Sequence, residues 1–204
     1  MKVVKSIAAL LIAVVSLTLG GVSESRAVAA AYVIDPDHSQ VIFKVKHMGI
    51  STVTGRFDLI EGSYEFDDAD MSKSSVETTI TAASINTNKQ KRDKHLKSQE
   101  FLNVEKYPTI TFKSKEVKKG DGEDFIIVGD LTINGVTKQV ELDAEYGGKA
   151  QDPMGDERTA FTAETKIDRK DFGITWNKTL DSGGLVVGDD VKIELEVEGI
   201  RKKG

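Results

Sequence analysis

The chain has 204 residues, of which 39% are hydrophobic, no cysteine, and a formal net charge of −5. This length fits one domain with a substantial core better than two, and the composition is that of a globular protein rather than a disordered one. The missing cysteines exclude disulfides, thiolate metal sites and cysteine nucleophiles, and an isoelectric point near 5.3 argues against a binder of nucleic-acid phosphates.

The first 31 residues have the pattern of a secretory signal peptide. Lys2 and Lys5 precede an apolar run over residues 7–19, which is too short for a comfortable membrane span, and small residues follow up to Ala31. We therefore expect cleavage after Ala31 and a mature domain of residues 32–204. A retained N-terminal anchor helix is the alternative.

The mature chain is expected to be periplasmic or secreted, because no later segment reaches the length of a membrane span. The leader has a net charge of +2, from three cations and one carboxylate, so the mature chain carries −7. This acidity argues against attachment to anionic lipid headgroups.

Alternation of apolar and polar residues predicts eight strands in the mature chain. The clearest is the last, where Val191, Ile193, Leu195 and Val197 alternate with charged residues. The other predicted strands are 41–47, 53–66 with a bend near Gly62, 75–85, 109–117, 125–133, 136–146 and 159–167.

The pair Asn134-Gly135 predicts a hairpin with a two-residue type I′ turn, because both residues tolerate positive φ angles. This turn sets the register, with Ile133 opposite Val136 and the apolar residues of both strands on one face.

Ile126 and Val128 break the pattern of this hairpin, because they point away from its apolar face. They would lie under a loop or helix, or in a homodimer contact.

Residues 86–104 lack strand alternation and are predicted to contain a short helix, with Thr87 or Asn88 as its N-cap. Arg92 and His95 lie three positions apart and would share one helical face. If the helix covers an end of the fold, this face would meet a polar or anionic head group; a solvated charged face is the alternative.

Eight antiparallel strands favour an all-β fold, either a closed barrel or a sandwich. An eight-stranded barrel is either filled by its own side chains or holds one small ligand. Both outcomes fit the mixture of small and aromatic residues on the predicted inner faces, which includes Gly55, Gly129, Ala82, Ala144, Phe43, Phe57 and Phe112.

Patterns typical of catalysis or metal binding are weak. His38, His47 and His95 share no spacing typical of a zinc site, so a three-histidine site would need assembly by the fold. There is no G-x-S-x-G elbow and no phosphate-binding glycine loop. We therefore predict no enzyme, no metal and no cofactor, with His38 in a turn and His47 at a barrel mouth.

Two features in the last third of the chain favour a binding site. Arg169 and Asp171 are interpreted as an ion pair that anchors a loop beside Phe172. Trp176, the single tryptophan, is consistent both with the core and with a ligand platform at a barrel mouth.

Eight stretches between residues 32 and 200 resemble, in order, the YceI-like family. They are Asp37-His38-Ser39 with Phe43 and His47; Val53-Thr54-Gly55-Arg56-Phe57; Ser84-Ile85-Asn86-Thr87; Arg92-Asp93-Lys94-His95-Leu96 with Phe101; Tyr107-Pro108 with Ile110 and Phe112; Gly129-Asp130-Leu131-Thr132-Ile133-Asn134-Gly135-Val136-Thr137; Asp168-Arg169 with Asp171-Phe172-Gly173; and Val187-Gly188-Asp189 with Val191. Each is weak alone, but their order over nearly the whole mature chain is specific.

The resemblance implies an eight-stranded antiparallel, lipocalin-like barrel with a short helical segment near one end. It also implies an exported protein that holds a polyisoprenoid or another long-chain amphiphilic lipid in the lumen, in a transport, storage or stress role. The implied lining residues are Phe43, Val45, Phe57, Phe112, Phe172 and Trp176, with Phe101 closing one end. The implied polar end consists of His47, Arg92, His95 and Arg169.

Two alternatives stay open at this point. One is an enzyme acting on such a lipid through His38, His47 or His95. The other is a stress or interaction protein that carries nothing because its barrel is filled.

Overall fold

The computed structural model describes residues 29–122, 124–181 and 183–203. The predicted signal peptide lies outside these residues apart from its last three positions, so the leader and its cleavage stay predictions. The described chain forms eleven strands and one α-helix, α1 (Gln90–Leu96), with 3-10 turns at Met71–Lys73, Ala82–Ser84 and Arg169–Phe172. The strands are β1 (Ala30–Ile34), β2 (Gln40–His47), β3 (Ser51–Phe57), β4 (Ile60–Phe66), β5 (Ser75–Thr81), β6 (Ile85–Asn86), β7 (Thr109–Lys119), β8 (Asp124–Ile133), β9 (Val136–Gln151), β10 (Glu157–Asp168) and β11 (Val187–Arg201).

The strands close into an eight-stranded antiparallel barrel. The ring runs β1-β4-β5-β7-β8-β9-β10-β11 and returns from β11 to β1, with Tyr32 opposite Arg201 and Ile34 opposite Gly199. β2 pairs with β11 beyond the end of β1. β3 pairs with β2 and leads along the chain into β4, and the short β6 pairs with β3. The predicted eight-stranded closed barrel is therefore confirmed, which excludes the sandwich, although β1 was not predicted and the predicted strand 53–66 is the two strands β3 and β4.

The break between β1 and β2 is a polar joint built on Asp35. This carboxylate, 8% exposed, accepts hydrogen bonds from the Asp37 amide at 3.0 Å and the Arg158 guanidinium at 2.7 Å, and contacts His38 Nδ1 at 2.9 Å. Burial opposes the ionisation of Asp35, but these hydrogen bonds outweigh burial and lower its pKa to about 2. His38 is thus a turn residue with a local hydrogen bond, as predicted, and its pKa is raised by Asp35.

The hairpin register around Asn134-Gly135 is confirmed, with Ile133 opposite Val136. The predicted bend near Gly62 is wrong. The backbone instead breaks at residues 58–59, between β3 and β4, and Gly62 lies within β4, opposite Thr78 of β5.

Ile126 and Val128 do not form an exposed apolar face. Val128 is only 4% exposed and Ile126 is half-buried, although neither belongs to the apolar clusters of the described barrel interior. Val128 is therefore covered within its own chain, and the homodimer stays a prediction without this support.

The barrel has two different ends. The helix end carries α1, the turn 48–50, the turn 134–135 and the residues 173–181 and 183–186. The aromatic end carries the residues 67–74, 120–122 and 152–156, and its interior is filled by packed rings of Tyr32, Tyr64, Phe66, Tyr146 and Phe161.

Candidate functional site

A cavity of about 440 Å³ lies inside the barrel. Its wall is made of the inward-facing side chains of the strands, and these are mainly aliphatic and aromatic. Phe43, Val45 and Ile193 point inward yet stay only half-buried, because they face this space. A volume of this size is within the range of ligand pockets. The filled barrel considered above is therefore wrong.

All eleven sequence-predicted site residues line this cavity. They are Phe43, Val45, His47, Phe57, Arg92, His95, Phe101, Phe112, Arg169, Phe172 and Trp176. Their contact with a ligand stays a prediction. The fold brings the four predicted polar residues together at the helix end, although they come from β2, α1 and the turn after β10.

Of the small residues expected on the inner faces, Ala144 lines the cavity, but Gly55 and Gly129 do not open it. A Cβ atom at Gly55 would overlap the ring of Phe43, which lies directly opposite on β2. A Cβ at Gly129 would likewise overlap the ring of Phe112. The space above each glycine is thus occupied by an aromatic ring, and the cavity lies further inside the barrel.

α1 begins without the predicted side-chain cap. Its N-cap is Lys89, which makes no capping hydrogen bond, rather than Thr87 or Asn88. The Asp93 carboxylate instead accepts a hydrogen bond from the Thr87 amide at 2.9 Å, and the Arg92 guanidinium donates to the Thr87 hydroxyl at 2.7 Å and carbonyl at 2.9 Å. These bonds hold α1 against the strand end and orient Arg92 along the cavity wall.

His95 is part of an aromatic cluster over the helix end of the cavity. Its ring centroid lies 4.9 Å from that of Phe101 and 4.8 Å from that of Trp176, in edge-to-face geometry. Its Nε2 contacts a carboxylate oxygen of Glu100 at 2.6 Å. Trp176 therefore packs within this cluster and also lines the cavity, and α1 contributes the His95 ring to the cluster that covers the interior.

Arg169 anchors a loop, as the sequence predicts, but through other partners. Its predicted partner, Asp171, is wrong: the guanidinium pairs with Asp189 at 3.0 Å. It also donates to the carbonyl oxygens of Ile174 at 2.6 Å, Trp176 at 2.9 Å and Gly188 at 2.9 Å. Arg169 is 4% exposed, and its bonds tie the residues 174–176 to the start of β11.

His47 is different, because its imidazole makes no hydrogen bond to any described residue. It ends β2, is half-buried, and lines the cavity beside Val187, its partner on β11. Of the four predicted polar residues, it is the one whose side chain makes no hydrogen bond to the described part of the chain.

The aromatic end was not predicted as a unit. Tyr32 stacks on Tyr64 at 5.1 Å, and the Tyr64 hydroxyl lies 2.5 Å from the Thr159 hydroxyl. Burial raises the pKa of Tyr64 to about 12. The available signal was the period-two pattern of β4, which places Tyr64 and Phe66 on one face.

The period-two pattern also identifies cavity residues that were not assigned to the site. Examples on one continuous inner face are Val41, Ile80, Ile110, Leu131, Leu142, Ala163, Ile193 and Leu195.

The histidines do not assemble a three-histidine metal site within residues 29–122, 124–181 and 183–203. The one cluster of metal-ligand groups there is Asp35, His38 and Glu198. Arg158 donates to both carboxylates of this cluster, at 2.7 and 2.5 Å, so a cation already balances them. In the same part of the chain, no helix has the length and apolarity needed to cross a bilayer.

Comparison with known proteins agrees with this architecture. The family model described as a YceI-like domain matches residues 32–199. The YceI protein of Escherichia coli is 45% identical over 183 residues, which cover 89% of this chain and 92% of that protein. The crystal structure of the Campylobacter jejuni YceI protein superposes with a TM-score of 0.67 at 39% identity, over 78% of this chain and 91% of that one. A polyisoprenoid-binding domain from Saccharophagus degradans, implicated in plant cell wall breakdown, has the same fold, with a TM-score of 0.63 at 15% identity, over 86% of this chain and 100% of that domain.

Proposed function

Because this chain belongs to the YceI-like family, we propose that it is an exported protein that binds a polyisoprenoid or a similar long-chain amphiphile inside its barrel, for transport or storage. The observation that carries the proposal is the cavity of about 440 Å³, whose wall is mainly apolar and includes His47, Arg92 and His95 at the helix end. A neighbour of the same fold is described as polyisoprenoid-binding, which supports this class of ligand.

The chemistry of the wall favours an apolar chain. Transfer of apolar surface from water to such a cavity is favourable by about 25 cal/mol per Å² buried. Inward side chains such as Phe43, Val45 and Leu195 offer contacts without hydrogen-bonding groups. An apolar tail would therefore occupy the strand-lined interior.

The polar end of the ligand would lie at the helix end. There, His47 has no hydrogen-bond partner among the described residues, and Arg92 uses Nε and one terminal nitrogen on Thr87, which leaves its other terminal nitrogen able to donate. Arg169 is assigned no head-group role, because its donors are already bound to the chain. We propose His47 and Arg92 as the head-group contacts.

Two measurements test the proposal. The exported protein is purified and extracted for mass spectrometry, and the delipidated protein is titrated with a prenyl quinone while the emission of Trp176, its single tryptophan, is recorded. We expect a co-purified lipid and a saturable change of emission. A protein that contains no lipid and takes up no prenyl quinone would contradict the proposal.

A matched pair of variants locates the binding. Ala163→Phe places a ring in the cavity, whereas Glu164→Phe places the same ring on the outer face of the same strand, where Glu164 is exposed and pairs with Lys192. Ala163→Phe should weaken quinone uptake at least about tenfold, since it removes space for the ligand, and Glu164→Phe should leave uptake unchanged. Equal effects would place the ligand outside the barrel.

Export is tested separately. Cells that express the full chain are fractionated, and the mature N-terminus is sequenced. A periplasmic or extracellular protein that begins at residue 32 is expected; an uncleaved protein in the cytoplasm would contradict this part of the proposal.

A further inference from the structure

The helix end presents large apolar side chains to solvent. Ile50 is 84% exposed, Leu185 44% and Met48 40%. A tight turn with positive φ at Met48 (54°) and Gly49 (73°) presents Ile50, and the Met48 amide donates to the Val186 carbonyl at 2.9 Å. The two turns that carry these side chains are therefore neighbours.

The same end carries lysines that have no carboxylate within 4 Å among the described residues. They are Lys46, Lys89, Lys91, Lys94, Lys97, Lys106 and Lys178. The lysines of the barrel wall are mostly paired, for example Lys113 with Glu77 and Lys115 with Asp130. Lys119, Lys138 and Lys202 also have no carboxylate within 4 Å among the described residues, but they are not counted among these seven lysines.

Charge is distributed unevenly along the barrel axis. The segment 86–108, which contains α1, has six cations and three carboxylates, a net charge of +3. At the aromatic end, by contrast, cations pair with the loop carboxylates: Lys149 with Asp68, Arg158 with Asp152 and Lys203 with Asp156. The acidic total of the chain therefore conceals a basic segment at the helix end, which would orient the molecule in the field of an anionic surface.

We propose that the helix end is a docking surface for a lipid bilayer that contains anionic phospholipid. The exposed apolar side chains would enter the interfacial region of the bilayer, while the lysines beside them contact the lipid headgroups. Both contacts contribute to the free energy of membrane binding. The barrel cavity reaches this end, where His47, Arg92 and Trp176 line it, so docking would bring the cavity to the lipid. In this orientation the anionic surface faces the local charge of +3 in residues 86–108 rather than the net charge of −7 of the mature chain.

A vesicle assay tests the surface without any isoprenoid. Mature protein is sedimented with phosphatidylethanolamine–phosphatidylglycerol vesicles or with phosphatidylcholine vesicles, all free of isoprenoids. We expect binding to the anionic vesicles that is lost in 0.5 M salt, and much weaker binding to phosphatidylcholine. Because the vesicles hold no isoprenoid, failure here leaves the proposed lipid-binding function intact, and failure of that function leaves this result intact.

Two charge variants distinguish binding through a local surface from binding that depends on the net charge of the protein. The first replaces Lys89, Lys91, Lys94 and Lys97 by Gln; the control replaces Lys113, Lys115, Lys118 and Lys166 by Gln, with the same change of net charge at paired wall positions. A lysine near an anionic bilayer contributes about fivefold to binding, so the first variant should bind at least about 20-fold more weakly and the control less than about threefold.

A labelling experiment tests the orientation directly. The chain has no cysteine, so Ile50→Cys and Met154→Cys each accept one environment-sensitive fluorophore, at positions 84% and 87% exposed. Met154 lies at the aromatic end. Anionic vesicles should shift the emission of the label at position 50 to the blue and leave that at position 154 unchanged.

Three results would overturn the proposal. They are no binding of the unaltered protein to anionic vesicles, equal loss in both charge variants, and a blue shift at position 154 but not at position 50. Circular dichroism and thermal melting of every variant confirm that it is folded.

Discussion

Arg169→Ala is expected to be the most destabilising single change at the helix end. The guanidinium is 4% exposed and donates to three carbonyl oxygens and the Asp189 carboxylate, at distances of 2.6–3.0 Å. Removal of the side chain leaves these acceptors without their partner and Asp189 with only Lys170 at 2.6 Å.

The magnitude follows from these contacts. A buried polar group that loses its partner costs about 1–3 kcal/mol, and three carbonyl oxygens lose the guanidinium, whereas Asp189 is 31% exposed and keeps Lys170. Because the contributions overlap, we expect the free energy of unfolding to fall by about 3–5 kcal/mol. Arg169→Lys should recover little of this loss, since one ammonium group cannot reach acceptors on both sides of the planar guanidinium.

Urea denaturation followed by circular dichroism measures the effect, and Arg201→Ala is the control. Arg201 is 51% exposed and makes one ion pair, with Glu157 at 3.1 Å, so its loss should cost less than about 1 kcal/mol. Since Arg169 holds the Trp176 carbonyl, tryptophan emission of the Arg169 variant should change at lower urea than circular dichroism. An effect of Arg169→Ala no larger than that of Arg201→Ala would refute this reasoning.

Three further outcomes are expected. Gly55→Ala should lower the free energy of unfolding by about 1–3 kcal/mol, because the new methyl group overlaps the ring of Phe43, whereas Gly184→Ala has space and should change it little; equal losses in urea denaturation would contradict the packing argument. The lowered pKa of Asp35 stabilises the fold above about pH 4, so up to about 2 kcal/mol should be lost as pH falls from 4 to 2, and Asp35→Asn should lack this component in acid titrations. The raised pKa of His38 stabilises the fold at acidic pH, and this contribution should disappear as pH rises through the folded-state pKa; an NMR titration of the imidazole that finds no upward shift would contradict it.

Much of the fold could be predicted from short-range patterns. The alternation of Val191, Ile193 and Leu195 identified a strand with one inner face, and Asn134-Gly135 identified a hairpin with its register. Both signals depend on residues that are close in sequence. The five proposed site residues on strands, Phe43, Val45, His47, Phe57 and Phe112, line the cavity for the same reason, because period two assigns each strand residue to an inner or outer face. The other six lie outside the strands and were proposed from the family resemblance.

Partners distant in sequence could not be predicted in this way. Asp171 lies nearer to Arg169 along the chain, yet the guanidinium pairs with Asp189, because the turn after β10 folds back onto the start of β11. Thr87 is likewise bonded to Asp93 and Arg92 rather than capping α1. Several acceptors compete for each polar side chain, and only the path of the backbone selects among them.

The sequence by itself determined the inner and outer faces of the strands, the β8–β9 hairpin and the location of the helix, because these depend on the local period and on turn chemistry. Only the tertiary structure decided that β1 closes the ring against β11, with Tyr32 opposite Arg201. It also gathered unpaired lysines at the helix end of an acidic chain and left a cavity rather than a filled core. Closure of the barrel, charge distribution and cavity volume depend on which distant segments meet in space. Composition and periodicity carry no information about that arrangement.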